Sequence, residues 1–356
     1  MTLSLLLISL FTFVELNCEN LFDCQHDSLK NDIEFLPGGA YHWTRTRYWQ
    51  KLDRIGQTIL SCGEQQVTNQ LSPRSKASKR KEGGVNNGKS WQLPDMVALC
   101  EVENDSVLTD LTRRSLLARL GYDYVITHSL DERGINVALL YQPELFRPLT
   151  VGCHRVPPPS RHVSPSRDLL HVAGLIPTGD TLDVVVCHLP SQLGGRAAQR
   201  YRQAVARRLR LLADSVMQRR RAPHLVITGD FNTAWPDRLF SRHLGCAPLP
   251  ADTLPPPPAR SLLLLTHGLH GRADVAGSYK FQGEWSQLDH FIVSAHMLTA
   301  AASLRVQRPA CLLADFPHLL ETDRGRTTLH PRRTYLGTYY HGGLSDHLPV
   351  LLDLWW

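Results

Sequence analysis

Short apolar runs that stop at a polar residue are the dominant pattern along this chain. Phe11–Leu16 runs into Asn17, Met96–Cys100 into Glu101, Val184–Cys187 into His188, and Leu225–Thr228 into Gly229-Asp230-Phe231-Asn232. Each run has about the length of a strand and is rich in β-branched or other apolar residues, which predicts strands buried on both faces. The far ends of such strands can meet at one edge. Between Gly195 and Arg221 the period changes: Val205, Leu209, Leu212 and Val216 recur at helical spacing, with Arg200, Arg207, Arg208 and Arg210 on the other faces. That stretch predicts an amphipathic surface helix whose arginines form a solvated face. No internal repeat is present.

Two stretches interrupt the pattern. Ser72–Lys81 carries Arg74, Lys76, Lys79, Arg80 and Lys81 without an acid and leads into Gly83-Gly84 and Asn86-Asn87-Gly88. Residues 61–93 therefore read as a flexible basic insertion, either a plain solvated loop or an arm that attracts a polyanion. Pro255–Pro258 marks a stiff Pro-rich loop near 248–260. Neither reads as a boundary, so residues 1–356 are expected to form a single domain, although the length alone would permit two.

The apolar N-terminus, Leu3–Val14, is shorter than the roughly 20 residues of a spanning helix, and no Lys or Arg precedes Lys30. It reads as the first buried strand, which predicts a cytoplasmic chain with no stable membrane insertion. A targeting segment that exports or tethers the chain is the alternative reading.

Composition narrows the class. At 42% hydrophobic and 20% charged residues, the chain is neither disordered, nor fibrous, nor a multi-span membrane protein. The net charge of +6 eases the approach of an anionic partner without proving one. The eight cysteines form no CxxC pair and no zinc-finger spacing, and several lie inside apolar runs, so they read as reduced core residues. No protein partner is evident, and a monomer is expected.

Chemistry concentrates where the apolar runs end. Glu101, Asp230, Asn232, Asp289, Asp346 and His347 stand in the contexts Leu-Cys-Glu-Val-Glu, Gly-Asp-Phe-Asn, Gln-Leu-Asp-His-Phe and Ser-Asp-His-Leu-Pro-Val. Hard oxygen donors of this kind suit Mg²⁺ or Mn²⁺. Phosphodiester hydrolysis needs an activated water, neutralisation of charge on the non-bridging oxygens and relief of the departing oxygen. A metal on Glu101, a water oriented by Asp230, and hydrogen bonds from Asn232, His188 and His347 meet those needs. A cationic imidazole would require a carboxylate partner, for which Asp289 is a candidate. Singly, each of these residues is more often a turn, a cap or an ordinary strand-end side chain; the ordered set is what points to a site.

Seven segments in order, Asn17–Asp23, Leu99–Asn104, Arg133–Tyr141, Cys187–Ser191, Gly229–Asn232, Leu288–His290 and Ser345–His347, resemble the endonuclease/exonuclease/phosphatase superfamily, the deoxyribonuclease-I-like group, and most of all its bacterial endonuclease branch. The resemblance implies a four-layer α/β sandwich of two mixed β-sheets packed face to face with helices outside. It implies a metal held by Glu101 with Asn17, Glu19 and Asp346 nearby. It further implies that His188 contacts phosphate, that Asp230 and Asn232 position nucleophile and phosphate, and that Asp289 and His347 form the terminal acid–histidine set. Arg133, Asn136, Arg196 and Arg200 are weaker substrate contacts, and Glu103 is a weaker rim candidate. Glu19 and Asn136 depart from the residues many relatives carry there. His188 is more like deoxyribonuclease I, the sphingomyelinases and the inositol-polyphosphate phosphatases than the abasic-site endonucleases. The expected activity is a Mg²⁺-dependent phosphodiesterase, foremost a nuclease acting on DNA or RNA. A phosphomonoesterase or a phospholipid or inositol-phosphate phosphatase is the alternative, and a non-catalytic binding protein a further one. No exposed aromatic or apolar loop is legible that would argue for lipid.

Overall fold

The computed structural model describes residues 10–70, 92–249, 258, 260–323 and 327–356. The basic arm Ser72–Lys81 and most of the Pro-rich loop lie outside the described residues. Residues 61–70 are not part of a loop insertion. They continue helix α1 (Arg45–Gln70), where Leu52, Ile55, Ile59 and Cys62 recur at helical spacing and are fully buried.

The chain lays down one sheet, crosses to a second and returns to the first. Its N-terminal part supplies β1 (Leu10–Leu21), β2 (Met96–Val102), β3 (Asp123–Ile126) and β4 (Asn136–Tyr141), with helix α2 (Asp105–Arg113) between β2 and β3. The second sheet follows as β5 (Arg147–His154), β6 (Leu169–Leu175), β7 (Thr181–His188), β8 (His224–Asp230), β9 (Cys246–Pro248) and β10 (Leu262–Leu264), with helix α3 (Gly195–Arg219) joining β7 to β8. A hairpin, β11 (Tyr279–Phe281) and β12 (Glu284–Ser286), precedes β13 (Asp289–Ser294), which completes that sheet. Then come β14 (Arg305–Leu313), two small hairpins, β15 (Leu320–Thr322) with β16 (Leu329–Pro331) and β17 (Tyr335–Leu336) with β18 (Tyr339–Tyr340), and finally β19 (Val350–Trp355). The first sheet has the order β14-β19-β1-β2-β4-β3 and the second β5-β6-β7-β8-β13-β10-β9.

Side-chain alternation assigns the layers. Val184 and Val186 of β7 join the core between the sheets, together with Val226, Phe291 and Val293 from the same sheet and Phe13, Val97 and Leu139 from the other. Val185 and Cys187 point the opposite way and pack with Val205, Leu209, Leu212 and Val216 of α3. Phe13 meets Phe291 edge to face across the two sheets at 5.4 Å. Helices α1 and α2 bury Leu52, Ile55, Val107 and Leu111 in the core of the first sheet. The result is the four-layer sandwich of two mixed sheets. Among the described residues no helix is long and apolar enough to cross a membrane, and all eight cysteines are free.

One edge collects the motif residues because each sheet has a parallel pair near its centre. β1 runs parallel to β2, and β7 runs parallel to β8. Their C-terminal ends carry Asn17, Glu101, His188 and Asp230. β13 is antiparallel to β8, so its first residue, Asp289, is the register partner of Asp230, and His188 is the partner of Asp230 on the other side. β19 is antiparallel to β1, which brings the preceding Asp346 and His347 to the same edge. Gly229 allows this row to close up: at φ 133°, any Cβ there would lie 1.8 Å from the Cys187 carbonyl oxygen.

Candidate active site

The backbone itself aims the acids. Glu19, Asn20, Glu101 and Asn232 all adopt left-handed φ values, between 47° and 63°. The pairing register of β1 with β2 shifts between Asn17 and Leu21, and that of β2 with β4 shifts between Cys100 and Val102. These are bulges at strand ends, which turn a side chain out of the sheet alternation at a cost of about 1–3 kcal/mol per strained residue. Glu101 is held there by its Oε2, which accepts the Asn20 N–H at 2.8 Å.

A cleft of about 730 Å³ opens on this edge, and Glu101, His188, Asp230, Asn232, Asp346 and His347 line it. His188 Nε2 lies 3.4 Å from Asp230 Oδ2 and 3.8 Å from Glu101 Oε1. Asp230 is fixed from three directions: its Oδ2 accepts from Asn17 Nδ2 at 3.1 Å and from Asn232 Nδ2 at 3.1 Å, and its Oδ1 accepts the Asn232 N–H at 2.7 Å. Burial pushes the Asp230 carboxyl up to about 7, with Asp289 adding to the rise and His347 opposing it.

The two histidines differ in charge. Burial opposes protonation of His347, yet Asp289 at 2.7 Å from its Nδ1, then Asp230 and Asp346, hold the imidazole well above its ordinary range. Asp289 is fully buried behind it and takes the Ser278 hydroxyl on the same oxygen. His188 moves the other way, because burial and then Arg167 and Arg133 disfavour its cation. The carboxylate partner therefore serves His347, and His188 stands as a neutral ring.

Several sequence expectations meet a different arrangement. Asn17 has both amide atoms engaged, since its Oδ1 accepts the Glu19 N–H at 2.9 Å while its Nδ2 serves Asp230, so it positions Asp230. Glu19 and Asp346 are paired to Arg333, whose terminal nitrogen lies 2.5 Å from Asp346 Oδ2 and whose Nε lies 3.7 Å from Glu19 Oε1. Asn136 is buried and structural: its Oδ1 accepts the Ser129 N–H at 2.7 Å and its Nδ2 donates to the Glu103 carbonyl at 2.7 Å. Glu103 is likewise buried and accepts the Asp23 N–H at 2.6 Å. Arg196 and Arg200 are exposed on the first turns of α3 and do not line the cleft, whereas Arg133 does.

Other residues in and beneath the cleft carry weaker signals in the sequence. Arg167 is buried, lines the cleft and is held by Asp131 and the Leu189 carbonyl. Arg333 reads in the sequence only as part of a basic pair. Glu15 is fully buried under the site with Oε2 unpartnered, and burial, then Asp289 and Asp230, raise its carboxyl far above the usual range. A carboxylate inside an otherwise apolar strand is a signal that could have singled it out. At the rim, Phe281 is 53% exposed and Leu193 is 92% exposed, so the cleft does carry exposed apolar side chains. Phe281 stacks on Tyr279 at 6.5 Å, and Tyr279 lies 4.8 Å from the His347 ring.

Two donor sets bear on a metal. Among the described residues Glu101 Oε1 takes no hydrogen bond, His188 Nε2 standing 3.8 Å away, and it supplies the hard oxygen that Mg²⁺ or Mn²⁺ prefers. Asp230, Asp289 and His347 bring one ligand atom each within 4.8 Å of one another, but two of the three already engage each other through the His347 Nδ1–Asp289 Oδ2 hydrogen bond. The donors fit a cation best at Glu101.

His290, beside Asp289, shows how burial sets stability here. Its Nε2–H donates to the Thr233 carbonyl at 3.0 Å and its Nδ1 accepts from the Thr266 hydroxyl at 2.6 Å, so the ring is neutral. Burial pushes its pKa down to about 4. A depressed folded-state value means that this stability is present above the unfolded value of about 6.5 and is lost as pH falls through about 4, by about 3 kcal/mol. Urea unfolding of the wild type and of His290→Gln at pH 7 and pH 4 should show a smaller acid loss in the variant; equal losses would contradict the assignment.

The fold has counterparts elsewhere. A family model described as Endonuclease/Exonuclease/phosphatase family matches residues 12–72 and 84–355. Among solved structures, an endonuclease/exonuclease/phosphatase family protein from Bacteroides thetaiotaomicron is similar at 16% identity, with a TM-score of 0.51 and 98% of each chain covered. Humanized D. rerio TDP2 is similar at 14% identity and a TM-score of 0.52, covering 97% of this chain and 98% of that one. The mannosyl-6-phosphatase of Bacteroides thetaiotaomicron VPI-5482 is similar at 17% identity and a TM-score of 0.52, covering 97% of this chain and 99% of that one. At such identities the likeness speaks for the fold. No curated protein matches the chain.

Proposed function

The chain belongs to the endonuclease/exonuclease/phosphatase family, and we propose that it is a divalent-metal-dependent phosphodiesterase that hydrolyses nucleic acid. The observation that carries the reading is one cleft in which His347, charged by Asp289 at 2.7 Å, faces an Asp230 held by Asn17 and Asn232, with Glu101 beside them.

Each residue then has a task. Asp230, with a pKa near 7, takes the proton of the attacking water, whose oxygen forms the new P–O bond. The His347 imidazolium donates to a non-bridging phosphoryl oxygen as charge builds there. Asn232 and neutral His188 fix the direction of the Asp230 carboxylate, and Arg133 and Arg167 supply positive charge on one wall. Glu101 would hold the ion, which when bound neutralises charge on the phosphoryl group and the departing oxygen. Water adds, the ester P–O bond breaks with its electron pair going to the departing oxygen, that oxygen takes a proton from solvent while Asp230 gives its own back to solvent, and the products are a phosphomonoester and an alcohol.

The preference for nucleic acid rests on Phe281 and Tyr279, which offer an exposed ring face next to the reacting centre, and on the arginines that would meet neighbouring phosphates. The test is a panel of single- and double-stranded oligonucleotides, a small diaryl phosphodiester, a phosphomonoester and a phospholipid, each with Mg²⁺ and with chelator. Mg²⁺-dependent oligonucleotide cleavage is expected; free phosphate from the monoester without diester cleavage would overturn the reading. A base stacked on an aromatic ring contributes about 1–3 kcal/mol, so Phe281→Ala should raise KM for a single-stranded oligonucleotide about tenfold and leave the small diester unchanged. Equal effects on both substrates would rule out stacking at Phe281.

A further inference from the structure

The cleft carries a second set of rings. On its Glu19 side Phe35, Tyr41 and Tyr335 line it, and they end a stack that begins in the core. Buried Phe22 lies flat on Phe35 at 4.4 Å, Phe35 lies flat on Tyr41 at 4.8 Å, and Tyr41 meets Tyr335 edge to face at 4.7 Å. The loop between β1 and α1 fixes this plate. Tyr41 donates its N–H to the Glu34 carbonyl at 3.0 Å, while its own carbonyl accepts from the Tyr335 hydroxyl at 2.9 Å and from Arg47 at 2.8 Å. Gly39 lets the loop close, since a Cβ there would lie 2.1 Å from the Ile33 carbonyl oxygen. The Tyr41 ring itself stays half-buried at the cleft wall. Two polar groups stand beside it: among the described residues, the Tyr41 hydroxyl and the Asn20 side-chain amide take part in no hydrogen bond. Asn20 has a left-handed backbone, φ 59°, and its N–H is given to Glu101 at 2.8 Å. This wall therefore adjoins Glu101, whereas Tyr279 and Phe281 adjoin His347. Two ring surfaces approach the reacting cluster from different elements.

We propose that Tyr41, backed by Phe35 and Tyr335 and flanked by the Asn20 amide, is a second nucleobase site, so that the substrate is a single strand with unpaired bases on both sides of the scissile phosphate, one on Tyr41 and the other on Phe281. The inference rests on the nucleic-acid reading of the cleft and narrows its substrate class. A ring already held by other rings stacks on a base at little cost in conformational entropy, and every base offers such a face. An amide with a donor and an acceptor, together with a hydroxyl, matches the edge of a base, whereas an acyl chain would bury both groups unpaired. A base inside a duplex has its faces covered by its neighbours and offers none to Tyr41.

The experiment uses the full chain with Mg²⁺ and three substrates: a dinucleoside monophosphate, with a base on each side of the phosphate, and the 5′ and 3′ methyl phosphodiesters of one nucleoside, each with a base on one side. Tyr41→Ala should raise KM for the dinucleoside monophosphate about tenfold and raise it for one methyl ester only; Phe281→Ala should raise it for the other. The double variant should lose about a hundredfold on the dinucleoside monophosphate, because separate sites add. Should Tyr41→Ala fail to fold, Asn20→Gly carries the test. Glycine keeps the left-handed backbone and the N–H on Glu101, and loss of the amide should raise KM about fivefold on the ester that Phe281→Ala leaves unchanged. Unchanged KM for all three substrates, equal effects on the two methyl esters, action on the same ester as Phe281→Ala, or a double variant no worse than the worse single one would each overturn the inference alone. A wild type that cleaves none of the three would overturn the nucleic-acid reading itself, and the second base site with it.

Discussion

Replacing His347 by alanine should lower kcat on a small phosphodiester by about a thousandfold, because removing one charged donor from a preorganised, water-poor site costs about two to three orders of magnitude and Asp289 is then left buried without its partner. Asp289→Asn is the finer instrument. In the native site Asp289 outweighs the burial penalty and keeps His347 protonated well above the ordinary histidine range, while Asp230 must be deprotonated to act and titrates near 7. The predicted profile of kcat/KM is therefore a bell: the acid limb follows the Asp230 end of this coupled cluster, and the alkaline limb follows loss of the His347 proton. Asn at 289 withdraws the charge that sustains the imidazolium, burial then dominates, and the alkaline limb should move to lower pH while kcat falls. The same raised value gives a stability term with a definite sign, present in full below the unfolded histidine pKa and lost as pH rises through the folded one. A pH–rate profile in Asp289→Asn that keeps the wild-type alkaline limb would contradict the pairing.

How far the sequence reveals this site differs from residue to residue. The strand ends are legible because burial on both faces leaves long apolar runs, so Glu101, His188 and Asp230 stand out as the first polar positions after them. Their convergence follows from two parallel pairs, β1 with β2 and β7 with β8, which the apolar runs alone leave open. What the sequence hides is direction and occupancy. Nothing in Leu-Cys-Glu-Val-Glu shows that Glu101 takes a left-handed backbone at a bulge, and that bulge decides where its carboxylate faces. Asn17, Asn136, Glu19 and Asp346 have the chemistry of ligands, yet each is already engaged by a neighbour far away in sequence, Asn17 by Asp230 and Asp346 by Arg333 among them. Arg196 and Arg200 look like phosphate contacts on charge alone, but the turn of α3 carries them away from the cleft. The helix α1 is hidden for a related reason: its polar face is so mixed that only the buried stripe Leu52, Ile55, Ile59, Cys62 marks it.

Glu101→Gln should produce the other large effect, and it separates the metal from the architecture. The amide keeps the shape of the carboxylate and a carbonyl oxygen for the Asn20 N–H, so the strained turn at 101 stays in place. What disappears is the negative charge that a hard divalent ion requires of its main protein ligand. Mn²⁺ affinity should fall by at least about a hundredfold, and kcat/KM at fixed Mg²⁺ by about two to three orders of magnitude, with part of the loss recovered at high metal concentration. Stability should move the opposite way. Glu101 shares the cleft with Glu19, Asp230 and Asp346, and removing one charge from a crowd of like charges relieves repulsion that the fold tolerates for function. The metal-free variant should therefore melt at or slightly above the metal-free wild type, while the wild type alone gains stability on adding Mn²⁺, by the amount that binding to the folded state dictates. A variant that loses activity together with several degrees of melting temperature would mean that Glu101 is structural; one that keeps both Mn²⁺ affinity and turnover would remove it from the site. Unchanged stability with a lost ion response is the outcome that ties the bulge at the end of β2 to catalysis.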